Sequence, residues 1–304
     1  MKLKTKNLLT LSELSQKEFS QLIDFSIKLK KELKAGGNKP LLKNKTLTMI
    51  FQKPSTRTRV SFEVGMFQLG GKAINLSSND MQLSRGESIE DTARTLSRYT
   101  DCIMARVYDH GLLENLCEHS SVPVINGLSD SFHPCQILAD VMTIKEKKKK
   151  LEGLKIAWVG DGNNVCNSMV YGCALSKMKM SIATPKGFEP KLDVVKDAKK
   201  FTDIEITIDP IKTVKDADVV VTDTFTSIHN RDPKRTKKFL PKYQVNSKLM
   251  KYAKKNAIFM HCLPAKRGSE VTSSVIDGPQ SVIWDEAENR LHTQKALLAF
   301  LIRA

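Results

Sequence analysis

Short apolar runs alternate with longer segments of helical periodicity along nearly the whole chain, and no other feature restricts its fold so strongly. Consecutive parallel strands need a crossover long enough to hold a helix, so this alternation predicts an α/β fold. Strands are expected at Thr46–Phe51, Ala73–Leu76, Cys102–Ala105 and Val122–Ile125, then at Ile156–Val159, Met180–Ala183, Ile204–Ile208, Val219–Thr222, Ala257–Met260 and Val282–Trp284. Helices are expected at Leu11–Lys34, Ser55–Leu69 (stopped by Gly70 and Gly71), Ser88–Tyr99, His133–Lys150, from near Asn164, and over most of Asp285–Ile302. A polar loop, Ser77 to Gly86, lies between the second strand and the third helix. With 304 residues the chain exceeds the usual size of one hydrophobic core, so two domains are expected, each a parallel β-sheet flanked by helices. The helix beginning at His133 is the candidate bridge, its lysines suiting the negative end of the helix dipole.

Composition narrows the class. No apolar run is long enough to cross a bilayer. Met1 to Leu9 has lysines but no apolar core or small-residue cleavage site, which leads us to expect a cytoplasmic protein. Six cysteines, Cys102, Cys117, Cys135, Cys166, Cys173 and Cys262, form no C-x-x-C pair and read as reduced thiols. The net charge of +16 comes mainly from scattered lysines, and aromatic residues make up 6%. A solvated lysine-rich surface explains this better than nucleic-acid binding, for which no module is visible.

Chemistry concentrates first in Lys53-Pro-Ser-Thr-Arg-Thr-Arg59, between an apolar strand and a helix. Ser55 is placed to cap the helix. The first turn then offers backbone N–H groups, hydroxyls and the fork of Arg57, which together suit a phosphate. A plain cap with surface arginines is the rival reading of this segment alone.

Ser55-Thr-Arg-Thr-Arg59 followed by Ser61-Phe-Glu63 resembles the carbamoyl-phosphate motif of the aspartate and ornithine carbamoyltransferases. Met104-Ala-Arg106, His133-Pro-Cys-Gln136 and His261-Cys-Leu-Pro264 match in order, as do Asp80–Gly86 and Asp285–Arg290, so the resemblance runs nearly end to end. His-Cys-Leu-Pro points to the ornithine branch. The resemblance implies transfer of a carbamoyl group from carbamoyl phosphate to the δ-amine of L-ornithine, giving citrulline and phosphate in arginine metabolism. Putrescine or acetylornithine is the alternative acceptor.

By the same resemblance, Ser55, Thr56, Arg57 and Thr58 hold the phosphate, joined by Gln82 and by charge from Arg290. Arg106 bridges phosphate and carbonyl oxygen, and His133 and Thr58 donate to that oxygen as it gains charge. Gln136 and the Leu263 carbonyl accept from the carbamoyl amide. Asn167 is expected at the amino-acid carboxylate, with Asp223 on the α-ammonium, and Ser227 and Ile228 as further ornithine contacts. Residues 1–133, with a C-terminal helix at about 289–304 packing back, form the expected carbamoyl-phosphate domain. Residues 134–150 form the interdomain helix and 151–288 the ornithine domain.

Gly160-Asp-Gly-Asn-Asn-Val165 invites a dinucleotide reading, but the third glycine and the acidic residue at the next strand end are missing. Cys262 is expected to line the site and orient the reacting amine. Amine attack on a mixed anhydride needs no thioester, and no zinc-ligand spacing surrounds the thiol. No metal or organic cofactor is expected, and no nucleic-acid or membrane partner. Domain closure would exclude water. The sequence departs from the family at Ser227-Ile228-His229, where Ser-Met-Gly is usual, and at Lys266, where His is usual. The resemblance further implies a homotrimer with shared active sites, in which the Ser77–Gly86 loop carries Gln82 to a neighbouring chain, and higher assemblies of such trimers.

Overall fold

The protein is described by a computed structural model over residues 3–77, 81–226 and 233–302. It forms two compact units, Met1–Met142 with Glu288–Ala304, and Thr143–Ala287. In the first unit, helix α1 (Gln16–Lys34) opens on a capping box in which Ser15 accepts from the backbone of Glu18 and Glu18 reaches back. This cap sets the helix start at Gln16 and leaves Leu11–Leu14 outside the helix expected from Leu11. Glu13 folds back onto the Leu9 and Thr10 amides there.

Strands β1 (Thr46–Phe51), β2 (Lys72–Ser77), β3 (Cys102–Arg106) and β4 (Val124–Leu128) form one sheet in the order β2-β1-β3-β4, every pair parallel. Helices α2 (Thr56–Gln68), α3 (Ile89–Leu96) and α4 (His110–His119) are the crossovers. β1 and β3 are buried almost throughout, as strands covered on both faces must be. Ile50, Ala93, Ile103, Ala105, Leu113, Leu116 and Val124 make the core. Two sequence expectations shift. β4 begins after Pro123, which has no N–H to give, and runs three residues past Ile125. α4 escaped the sequence reading because only Leu113 and Leu116 of its ten residues are buried, too few to mark a period. Helix α5 (Pro134–Lys148) follows β4, and the unit boundary falls inside it.

The second unit holds β5 (Lys155–Val159), α6 (Asn164–Ser176), β6 (Lys179–Ala183), α7 (Leu192–Ala198), β7 (Ile204–Thr207), α8 (Pro210–Val214), β8 (Val219–Val221), α9 (Pro233–Phe239), α10 (Ser247–Met250), β9 (Ile258–Met260) and α11 (Ser273–Ile276). Its all-parallel sheet runs β7-β6-β5-β8-β9. Helix α12 (Ile283–Ile302) closes the chain. The strand expected at Val282–Trp284 is instead one bridge, Phe259 to Ser281, leading into α12. Burial at Ile283, Glu286, Asn289, Arg290 and Thr293 follows helical spacing, whereas Trp284 is 69% exposed.

Each sheet reverses its winding at one place. β1 leads outward to β2 on one side and β3 on the other, and β5 does the same with β6 and β8. At such a switch point neighbouring loops diverge beyond the carboxyl ends of the strands and leave a crevice. The two switch points lie at the ends of β1 and β3 and at the ends of β5 and β8.

Candidate functional site

At the first switch point the chain leaves β1 through Gln52 and Lys53, and the Gln52 amide donates to the Arg106 carbonyl at 2.9 Å. Ser55 caps α2 by accepting from the Thr58 amide at 3.2 Å, so the Ser55–Thr58 turn presents a helix N-terminus. Its dipole and backbone donors favour an anion. Arg106 ends β3 nearly buried, at a register shift against β4. Gly127 on β4 packs tightly there: a Cβ would lie 2.4 Å from the Met104 sulfur. His133 lies buried just before α5. Burial foremost, then the positive fields of Arg290, Arg106 and Arg57, push its pKa well below 6.5, so the ring is a neutral donor.

Arg290, on α12, ties this unit together. Its guanidinium donates to Gln136 Oε1 at 2.7 Å, to Thr58 Oγ1 at 3.2 Å and to Gln294 Oε1 at 3.0 Å. Gln294 in turn donates to Ser61 at 2.9 Å, and Gln136 donates to Asp140 at 2.8 Å. Thr58 of α2, Gln136 of α5 and Arg290 of α12 are thereby assembled, though 78 and 154 residues separate Gln136 from the other two. Thr56 and Gln82 are exposed and Arg57 is half-buried. Gln82 opens a short 3-10 turn, Gln82–Arg85. Lys53 opens the singled-out segment but was given no role of its own; it is fully buried with its ammonium 4.1 Å from the centre of the Tyr108 ring. Burial and the Arg106 charge bring its pKa down to about 7. A lysine beside a Ser-Thr-Arg run looks like surface charge, and only burial distinguishes it.

At the second switch point, Asn163 caps α6 and donates to Asp223 Oδ2 at 2.7 Å. Cys262 follows β9, and its thiol donates to Asp223 Oδ1 at 3.2 Å. Asn167 is buried in the first turn of α6, and its side-chain oxygen accepts from the Lys191 amide at 2.9 Å. Leu263 adopts φ +59. The glycine-rich turn is shaped by packing against the chain itself: a Cβ on Gly162 would come within 2.3 Å of the Pro190 nitrogen. Arg235 of α9 pairs with Asp161 and donates to the Phe225 carbonyl at 3.0 Å. Burial raises the Asp161 pKa to about 6, even against that arginine. Asp161 and Asn163 fell within the glycine-rich segment read only as a rejected dinucleotide turn, and Arg235 was missed because an isolated charge carries no motif. Ser227, Ile228 and His229 lie outside the described residues. Lys266 hydrogen-bonds through its ammonium to Thr226.

Asp223, His261 and Cys262 bring an oxygen, a nitrogen and a sulfur within 4.8 Å of one another, a grouping able to take a metal ion. The spacing around Cys262 gave no sign of it, since Asp223 arrives from another strand. Here hydrogen bonds already engage these groups. Both His261 nitrogens have partners, in Leu263 and Glu270, and the thiol proton points at Asp223. All six cysteines are free thiols.

A helix N-terminus suited to an anion in one unit and a carboxylate–thiol pair in the other are the arrangement of an α/β enzyme. The chain belongs to the aspartate/ornithine carbamoyltransferase family: the family's carbamoyl-P binding domain matches residues 6–146 and its Asp/Orn binding domain residues 152–301. It is 60% identical over 303 residues to a protein of Cenarchaeum symbiosum named ornithine carbamoyltransferase, covering 99% of both chains. A Methanosarcina acetivorans protein of the same name is 53% identical, over 98% of this chain and 99% of that one. The structure superposes on the ornithine carbamoyltransferase of Pyrococcus furiosus with a TM-score of 0.96 at 50% identity, covering 100% of this chain and 99% of that one. Among the described residues, no helix is long and apolar enough to cross a membrane.

Proposed function

We infer that the protein transfers the carbamoyl group of carbamoyl phosphate to the δ-amine of L-ornithine, producing L-citrulline and phosphate. The observation that carries this reading is the match along nearly the whole chain, through both units, to relatives that bear the ornithine carbamoyltransferase name.

The phosphate sits on the Ser55–Thr58 turn with Arg57, and Arg106 spans phosphate and carbonyl oxygen. Thr58 and the neutral His133 donate to that oxygen as the amine attacks, where preorganised donors are worth most. Gln136 and the Leu263 carbonyl accept from the carbamoyl amide, and Arg290 holds Gln136 and Thr58 in place. Asp223 pairs with the α-ammonium of ornithine and Asn167 donates to its carboxylate. Ser227 and Ile228 complete the amino-acid contacts. Cys262 orients the reacting amine beside Asp223. The amine attacks the carbonyl carbon directly, and phosphate leaves with the C–O bond pair and takes up the amine's proton. Residues 1–133 with the helix at about 289–304 serve carbamoyl phosphate, and 151–288 serve ornithine. The enzyme works in the cytoplasm as a homotrimer, Gln82 of one chain serving the neighbour's phosphate site.

A citrulline assay with carbamoyl phosphate and a panel of ornithine, acetylornithine, putrescine, lysine and aspartate tests the reading. Ornithine should give the highest kcat/KM, since a carboxylate left without its ammonium partner is costly. Equal kcat/KM for putrescine would refute it.

A further inference from the structure

His261 is fully buried just after β9, and its two ring nitrogens do different things. Nδ1 accepts from the backbone amide of Leu263 at 2.9 Å. Nδ1 therefore carries no proton, and the proton sits on Nε2, which faces Glu270 Oε1 at 3.2 Å. Glu270 is equally buried, and the same oxygen accepts from the Lys266 amide at 2.6 Å. Burial alone would raise the Glu270 pKa, but the hydrogen bonds from His261 and the Lys266 amide outweigh it and hold the carboxyl below 4.5. On the other side, the His261 amide donates to Glu286 at 3.0 Å. The donor to Nδ1 is Leu263, whose φ of +59 is a left-handed conformation that residues with a side chain seldom adopt. A backbone in that region persists only where its surroundings over-determine it. The Leu263 amide bond to the imidazole is such a constraint, and it also fixes the direction of Cys262, the residue between the two ends of the bond.

We propose that His261 and Glu270 are positioning residues for the transfer reaction: a Glu270–His261–Leu263 relay holds the Leu263 backbone turn, and through it the Leu263 carbonyl and the Cys262 thiol, in the orientation that meets the substrates. This rests on the carbamoyl-transfer reading above. The imidazole touches no substrate and exchanges no proton during the reaction. Its work is done by a bare Nδ1, which the carboxylate of Glu270 secures by keeping the proton on Nε2. Loss of the Nδ1 acceptor frees the Leu263 amide and lets the strained turn relax.

Two near-isosteric variants separate this role from simple core filling. Asn in place of His261 puts an amide oxygen near the Nδ1 position and keeps an acceptor for Leu263. Gln reaches further, keeps a donor for Glu270 and leaves the Leu263 amide without its acceptor. His261→Asn should retain kcat within about fivefold of the parent, the cost of one weakened hydrogen bond. His261→Gln should lose kcat on the order of a hundredfold, as expected when reacting groups shift by about 1 Å. A structural role confined to pairing a buried carboxylate predicts the reverse order. Equal loss in both variants, or Gln more active than Asn, overturns the proposal, while turnover of ornithine by the parent enzyme in the same assay leaves the reaction assignment standing. If either variant fails to fold, the unaltered protein decides. With only 6 histidines, ¹⁵N-labelled imidazole spectra resolve each ring. A His261 signal protonated at Nε2 and bare at Nδ1 supports the relay, and one protonated at Nδ1 refutes it.

Discussion

Replacing Arg290 by Met would remove a side chain that joins the Ser55–Thr58 turn, helix α5 and helix α12. Arg290 is 3% exposed and donates to Gln136, Thr58 and Gln294. A hydrogen bond from a charged donor contributes a net of about 1.5–3 kcal/mol. The three do not add in full. Gln294 Oε1 also accepts from Ser61, and the Thr58 hydroxyl can rotate, so the cost concentrates on Gln136, whose bond is the shortest. Methionine also fills part of the space left by the arginine stem. A stability loss of about 2–4 kcal/mol follows, read as a lower urea midpoint. Carbamoyl phosphate loses a nearby positive charge and two oriented partners, so its Kd by calorimetry should rise about a hundredfold, equivalent to about 2.7 kcal/mol. The His133 ring, relieved of the charge that ranks next after burial in depressing its pKa, should titrate closer to 6.5. Arg290→Lys restores the charge without the fork, and should recover part of the stability but little of the affinity. If Arg290→Met keeps both its urea midpoint and a Kd within about twofold of the parent, the claim that this guanidinium assembles the carbamoyl-phosphate site is wrong.

Stability should fall as pH drops from about 6.5 toward 4, because burial above all holds His133 well below 6.5 and His292 at about 4. The unfolded chain takes up these protons first, and a shallower decline in urea midpoint for His292→Asn would check it. Activity should rise from neutral into alkaline pH, since an attacking aliphatic amine has a pKa of about 10.4; a flat profile with chemistry rate-limiting argues against direct attack. Cys262→Ser should slow turnover and weaken ornithine binding yet leave measurable activity, and a trapped carbamoyl-thioester on Cys262 would show the mechanism to be wrong. Inactive Gln82→Ala and Arg57→Ala chains, dissociated and mixed, should recover roughly a quarter of parental activity, because each mixed trimer restores one junction in three. No recovery in mixed trimers confirmed by native mass spectrometry would mean that both residues serve the same chain's site or that the loop plays no part.

Local chemistry fixed much of this protein from the sequence alone. The alternation of apolar runs and helical periods defined two parallel-sheet units, because a strand buried on both faces and a helix with one apolar face leave different signatures in the chain. The Ser55–Thr58 turn was legible because capping and the anion-binding donors it exposes are short-range properties. Where a residue's place depends on distant chain, the sequence was silent. Val282–Trp284 leads into α12, whose buried face repeats at Ile283, Glu286 and Arg290, and a single bridge from Phe259 to Ser281 is what joins this segment to β9. The strand order that sets β1 beside β3 and β5 beside β8 decided where loops diverge in each unit, placing Arg106 at the first switch point and bringing Asp223 and Cys262 together at the second. Burial decided the rest. Lys53, His261 and Glu270 have the composition of ordinary surface groups, and only the packing around them removes water, leaves each dependent on particular protein partners, and makes a histidine's bare nitrogen a fixed point for the backbone.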